Sequence, residues 1–254
     1  MGTLESFRLD GQVAVITGGG RGLGEAMARA LAEAGAAVVV AARRAAEVEA
    51  VAASINASGG RALGVAADVT DPEAVEALAQ AAVDTFGSLS IWINNAGGSR
   101  YFGPLGGISA RDWNDCVALN ITAVVAGTNA AARRMTNGGS IVNISSLSAQ
   151  GAAPGSGHYG AAKAAVNSLT KTYSRELAPS IRVNAIQPST IPTETYMDAL
   201  SLGDDDLPAL LERKKVPLGR LGRPADVAGV TVFLCSPAAS WITGEVWTVS
   251  GGLM

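Results

Sequence analysis

Gln12-Val13-Ala14-Val15-Ile16 is a short apolar run rich in β-branched residues, and it opens directly into Thr17-Gly18-Gly19-Gly20-Arg21-Gly22-Leu23-Gly24. An Ala-rich stretch over 25–34 follows and stops at Gly35, a residue suited to a helix C-cap. Strand, glycine turn and helix in this order leave few choices, because the strand must enter a sheet and the helix must lie back over it. The turn also has a chemical meaning. Glycines let the backbone approach a pyrophosphate, and the helix N-terminus offers free N–H groups and a positive dipole end. The alternation then continues along the chain. Strands are expected at 13–16, 37–41, 62–67, 90–94, 140–144, 182–186 and 245–249, and helices near 23–34, 44–57, 72–86, 109–134, 158–177 and 224–235. The expected fold is α/β, a doubly wound parallel sheet of about seven strands with helices on both faces. No repeat or linker divides the chain, so a single domain over 1–254 is expected.

A second pattern lies in the other half. Tyr159 and Lys163 stand four residues apart in the Ala-rich segment 158–166, so they share one helix face. A phenol is a poor base at neutral pH, and an ammonium one turn away is expected to lower its pKa. Ser146 lies thirteen residues before Tyr159, at the end of the apolar run 140–146. Its hydroxyl is placed to hydrogen-bond a substrate carbonyl or alcohol, with Ser145 as the competing serine.

Composition removes several function classes. The net charge is −3 and no long basic run appears, which argues against nucleic acid. Cys116 and Cys235 form no C-x-x-C pair, and a single histidine, His158, offers neither a metal cluster nor a Ser-His-Asp triad. His158 reads as a loop residue at a helix start near the pocket. No signal peptide is visible, and the longest apolar stretches, such as 36–42, fall far short of the ~20 residues that cross a bilayer. A cytoplasmic protein is expected. Charged residues are only 16% of the chain, below the usual ~25%, which suggests surface buried between subunits.

The order T-G-x-x-x-G-x-G, then Asn94-Asn95-Ala96-Gly97, Asn120, Ser146, Tyr159 and Lys163, resembles the short-chain dehydrogenase/reductase family from about residue 9 to the C-terminus. The resemblance implies a Rossmann-type fold and hydride transfer between a nicotinamide cofactor and a secondary alcohol or ketone. It implies that Ser146 orients the carbonyl, Tyr159 transfers the proton, Lys163 binds the nicotinamide ribose and tunes the tyrosine, and Asn120 holds a relay water. It implies cofactor contacts from Gly18, Gly20, Arg21, Gly22, Leu23 and Gly24 in the turn. Further contacts fall on Ala42 and Arg43, on Asp68 and Val69, on Asn95, Ala96 and Gly97, and on Pro188, Ile191 and Thr193. Asp68 reads equally well as a cap on its own turn. Ser189 and Ser250 depart from the family pattern. The stretch 233–241 and the ending 249–252 are similar to bacterial 7α-hydroxysteroid dehydrogenases.

The cofactor's adenosine end meets Ala42, where an acid would hold a ribose diol, and then Arg43, a planar fork for phosphate. With Arg21 as a second cation, NADP(H) is expected over NAD(H). The segment 193–217 breaks the alternation, with an aspartate of Gly203-Asp204-Asp205-Asp206 capping its second helical piece and with apolar Tyr196, Met197, Leu200 and Leu202. By resemblance it is a substrate lid, here for a bulky apolar alcohol or ketone. The alternatives are a 3-oxoacyl-thioester reductase, with Arg100, Arg111, Arg133 and Arg134 as a docking patch for an acidic carrier protein, and a non-catalytic NADP-binding regulator. The resembled enzymes pair through the helices near 109–134 and 158–177 and through their C-terminal strands, so a homotetramer is expected.

Overall fold

Short apolar-rich runs recur seven times, and in the computed structural model each becomes a strand of one parallel sheet. The structure describes residues 2–254; Met1, the first residue of the expected domain, lies outside the described residues. The strands are β1 (Val13–Thr17), β2 (Ala37–Ala42), β3 (Arg61–Ala66), β4 (Ile91–Asn94), β5 (Gly139–Ile144), β6 (Ile181–Pro188) and β7 (Val246–Val249), in the order β3-β2-β1-β4-β5-β6-β7. The helices are α1 (Gly22–Glu33), α2 (Ala45–Ala57), α3 (Pro72–Phe86), α4 (Ala110–Val117), α5 (Ala123–Ala132), α6 (Gly157–Glu176), α7 (Glu194–Leu200), α8 (Leu207–Lys214) and α9 (Pro224–Cys235).

Alternate residues of the central strands enter opposite cores. Ala14 and Ile16 of β1, with Val38 and Val40 of β2, pack on the face covered by α1, α2 and α9; Val13, Val15, Ala37 and Val39 face α3, α5 and α6. Burial on both faces explains why these strands are apolar throughout rather than alternating. β1 pairs with β4 (Ala14↔Ile91, Ile16↔Ile93) although β2 and β3 intervene in sequence. Connections leave this point in opposite directions, which opens a crevice at the C-terminal strand ends, where sheets of this kind take ligands.

The second core contains a chain of polar side chains. Trp92 Nε1 donates to Asn94 Oδ1 at 2.7 Å, Asn94 Nδ2 to Asn143 Oδ1 at 2.8 Å, and Asn143 Nδ2 to Thr170 Oγ1 at 2.9 Å. These bonds fasten β4, β5 and α6 together directly, and Asn143 is fully buried. Asn143→Ala strips a partner from two buried groups and should cost about 2–3 kcal/mol. A lowered urea midpoint with an unchanged slope checks this.

Two expectations need correction here. Residues 110–132 form one continuous helix, long and apolar enough by length and composition to cross a bilayer, a feature that short apolar runs do not reveal. Its apolar residues are interleaved with polar ones, and 44% of its most apolar window is buried inside the protein, against α3 and α6. In the 193–217 segment, Asp206 does stand before α8, but its carboxylate accepts from Gly203 N at 2.8 Å and makes no bond into the helix. The tight turn Asp204–Asp206 brings Gly203 within reach, and Pro208 removes one N–H that a cap would take.

Candidate active site

The glycine turn is shaped by what crowds it. Gly18 and Gly22 have φ of +64° and +58°, values that favour glycine. A Cβ on Gly24 would collide with the Gly18 carbonyl oxygen, so the first turn of α1 packs directly on β1's exit. One hydroxyl fastens this turn to the neighbouring loop. Thr17 Oγ1 donates to Ile93 O and accepts from Asn95 N at 3.0 Å and Ala96 N at 3.1 Å. Asn95 returns the tie, its Nδ2 donating to Thr17 O at 2.8 Å and to Gly18 O at 3.0 Å. Asn95 therefore supports the turn with its side chain. A cradle that excludes even one methyl, set at a helix N-terminus, fits the diphosphate of a dinucleotide.

Next to it lies the catalytic candidate set. The exit of β5 puts Ser146 in an extended conformation, half-buried, with its Oγ accepting from Ser148 N at 3.2 Å. Ser145 is buried and its hydroxyl donates to the Lys163 carbonyl at 3.1 Å, which removes it from the competition. Tyr159 and Lys163 lie on one face of α6, with the ammonium 5.5 Å from the phenol ring centre. Lys163 is buried, donates to Ile144 O at 2.9 Å, and would meet a Cβ on Gly97 at 2.9 Å. Only a glycine at 97 leaves this ammonium room.

Electrostatics differ from expectation. Burial pushes the Tyr159 phenol up to about 12, with the Ser146 hydroxyl pulling it down. The net direction is therefore upward, opposite to the expected one, with burial the largest influence. Burial likewise pushes Lys163 down to about 8. The arrangement suits a tyrosine that holds its proton at neutral pH and can donate it.

Asn120 sits in a π-helical turn, Ala118–Thr122, between α4 and α5, and is fully buried. Its Oδ1 accepts from Gly98 N at 3.0 Å, and its Nδ2 donates to Gly98 O at 2.8 Å and Cys116 O at 2.9 Å. The widened turn aims this side chain at the loop beside Lys163. Such turns collect at functional sites.

At the adenosine end, Ala42 is half-buried and Arg43 exposed. Arg43 makes none of the ion pairs found among the described residues, though its charge helps hold Asp68 below the ordinary carboxylate range, after the Thr70 N–H. Asp68 accepts from Thr70 N and Oγ1, so it does cap its turn, and Val69 is buried. Arg21 pairs with Asp198 of α7 at 3.6 Å, and Gly22 lies against Thr193. Sequence reasoning missed Glu47, which pairs with Arg44 at 2.8 Å and lies over Gly20. Pro188 closes β6, Ile191 is buried, and Thr193 caps α7 through Tyr196 N.

His158 is a further correction. It is a buried residue inside α6, and its Nε2 contacts Ser99 Oγ, with Tyr101 edge-on at 5.5 Å. An aromatic neighbour and the start of an apolar helix were the available signals. This contact anchors the 98–108 loop, which carries exposed Phe102 and Leu105, next to Tyr159. A cleft of about 790 Å³ lies between Ser189–Ile191 and the C-terminal residues 248–254. Arg133 and Arg134 both pair with Glu76 of α3, and Arg111 approaches Asp115 at 3.9 Å.

A family model described as enoyl-(acyl carrier protein) reductase matches residues 18–254. An oxidoreductase of Mycobacterium tuberculosis is 46% identical over 98% of this chain and 95% of its own length. A 3-oxoacyl-[acyl-carrier-protein] reductase of Synechocystis is 38% identical over 97% of this chain and 98% of its own. Among solved structures, a 7α-hydroxysteroid dehydrogenase complexed with NADH and 7-oxo glycochenodeoxycholic acid superposes with a TM-score of 0.92 at 34% identity, covering 100% of this chain and 98% of that one. A gluconate 5-dehydrogenase from Burkholderia cenocepacia, in complex with NADP and tartrate, superposes with a TM-score of 0.91 at 34% identity, covering 99% and 98%. With these relatives along its whole length, the chain belongs to the short-chain dehydrogenase/reductase family, oxidoreductases acting on alcohol and ketone groups.

Proposed function

We propose that this enzyme interconverts a secondary alcohol and a ketone on a bulky apolar substrate and prefers NADP(H). The observation that carries the reading is the meeting of Ser146, Tyr159 and Lys163 beside Gly97, on the loop that Thr17 fastens to the glycine cradle. A nicotinamide dinucleotide held by its diphosphate in that cradle would supply or accept the hydride. Ser146 donates a hydrogen bond to the substrate oxygen and fixes its position, keeping its own proton. Tyr159 gives its phenolic proton to that oxygen in reduction and takes it back in oxidation. Lys163 keeps a positive charge beside the phenol and reaches for the ribose hydroxyls. Asn120 is a positioning residue, its amide spent on the backbone of Gly98 and Cys116. A regulator without catalysis has no use for this set.

Exposed Phe102, Leu105 and Leu200 around the approach favour an apolar substrate under a lid formed by residues 193–217. Three of the four arginines considered for carrier docking are already ion-paired, which weighs against a carrier-protein substrate. The relative of that activity keeps the thioester reading alive, so ketosteroids and acetoacetyl-CoA belong in one assay panel, followed at the NADPH absorbance. Faster turnover of acetoacetyl-CoA than of any apolar ketone would overturn the substrate assignment.

The NADP preference rests on exposed Arg43. A charge-assisted contact contributes about 1.5–3 kcal/mol, so NADPH should bind roughly ten- to hundredfold more tightly than NADH. Ala42→Asp combined with Arg43→Leu should reverse the order. Equal binding of the two cofactors by the wild-type protein would dismiss this assignment.

The assembly we propose is a homotetramer, and uncovered surface supports it. More than half of the apolar window in 110–132 is unburied in one protomer, and Trp247 of β7 is 37% exposed. Both belong to elements through which the resembled enzymes pair. Light scattering should give four times the protomer mass at micromolar concentration, and a monomer there would reject it.

A further inference from the structure

An acid decides what the adenosine pocket accepts. In dinucleotide sites an acidic residue roughly 20 residues beyond the glycine turn holds the ribose diol, and a nearby arginine accommodates a 2′-phosphate instead. Ala42 leaves the strand-end position without that acid. The structure brings one in from the next helix. Glu47, in the first turn of α2, lies over the buried Gly20: a Cβ on Gly20 would meet Glu47 Cβ at 3.0 Å, Glu47 Oε2 at 3.1 Å and Ala42 Cβ at 3.6 Å. Glycine turn, strand end and carboxylate thus converge on one corner. Arg44 holds the other oxygen, Oε1, at 2.8 Å, which leaves Oε2 on the side of the turn.

We propose that Glu47 is a specificity-determining residue for the cofactor, supplying from α2 the acid that Ala42 lacks and opposing a 2′-phosphate at the Gly20 corner. This rests on the NADP(H) reading, which it deepens. Arg43 attracts the phosphate, while Glu47 repels it and at the same time occupies Arg44. The cofactor preference is then the difference between two opposed charges, and Arg44 moderates the second of them. A role confined to the helix is the competing account, because an acid in a first turn suits the helix dipole and an exposed i,i+3 pair contributes little. The two accounts differ in what happens to the cofactors.

Glu47→Gln keeps the shape over Gly20 and removes the charge. Calorimetric titration of wild-type and variant protein with NADPH and NADH, without substrate, reads binding alone. The ratio of NADPH to NADH affinity should rise about tenfold in the variant, the lower end expected for a partly solvated like-charge contact. Adenosine 2′-phosphate should gain by a similar factor, and adenosine 5′-phosphate should not. Arg44→Gln frees the carboxylate and removes a cation, so it should move the ratio the opposite way. An unchanged ratio in Glu47→Gln overturns the proposal, as does an unchanged or raised ratio in Arg44→Gln. Should the first variant fold poorly, the second and Glu47→Asp, which withdraws the charge by one methylene, carry the same readout. The wild-type ratio by itself tests Arg43, so a protein that prefers NADH yet shifts on Glu47→Gln separates the two claims.

Discussion

Tyr159→Phe should lower turnover at least ~10²-fold, the range typical of losing a general acid–base group, while NADPH binding survives. The substitution keeps the ring, and with it the contact to the Lys163 ammonium at 5.5 Å, and deletes only the transferable proton. Single-turnover rates and NADPH titration on the same preparation check both halves. Near wild-type turnover with a true substrate would mean that another group donates. The pH dependence follows from half-buried Tyr159 and buried Lys163. A phenol pushed up to about 12 retains its proton throughout the neutral range, so the acid for ketone reduction is present there. Lys163, pushed down to about 8, loses its charge as pH rises through 8, well before an ordinary lysine does. Accordingly, kcat/KM for NADPH should be level below pH 8 and fall above it. A profile that stays level to about pH 10, the ordinary lysine range, would show that Lys163 keeps its charge.

Gly24→Ala should remove nucleotide binding and destabilise the fold by about 3 kcal/mol, the upper end of common overpacking costs. The added methyl would overlap Gly18 O and stand 2.7 Å from Asn95 Nδ2. One of these is backbone and the other is tied to two carbonyls, so neither yields cheaply. Gly229→Ala is the contrast: it lies in α9 with nothing within 4 Å of the added carbon. There alanine should raise stability by about 0.5–1 kcal/mol through its better helix propensity. Thermal melts of both variants, with NADPH titration of the first, decide the matter. A Gly24→Ala protein that melts and binds like wild type would refute the steric cradle.

The central strands were legible because burial on both faces demands apolar runs rich in β-branched residues, and the bounds of several helices because Gly35, Pro72 and Pro224 punctuate them. The π turn was not, since one extra residue in a helix leaves the polar and apolar spacing of 110–132 almost unchanged. Nor was the burial of His158, which depends on Ser99 and Tyr101 from a distant loop. The pairing of Arg133 and Arg134 with Glu76 joins residues 57 and 58 positions apart, and no local pattern announces it. The order of Ser146, Tyr159 and Lys163 was readable, but their electrostatics were not. Spacing gives the neighbours of a phenol, and only the packing gives the depth at which it is buried.

The Thr17 hydroxyl has a consequence for motion. It binds the amides of Asn95 and Ala96 while Asn95 grips the carbonyls of Thr17 and Gly18, so the two loops lack independent hinges. Neither half of a bound dinucleotide can be let go by one loop swinging away from the other. We expect release to come instead from the side where the grip is loose, the α7 segment, which touches the turn through Thr193 and the solvent-screened Arg21–Asp198 pair. On that expectation the cradle is the anvil and α7 the latch.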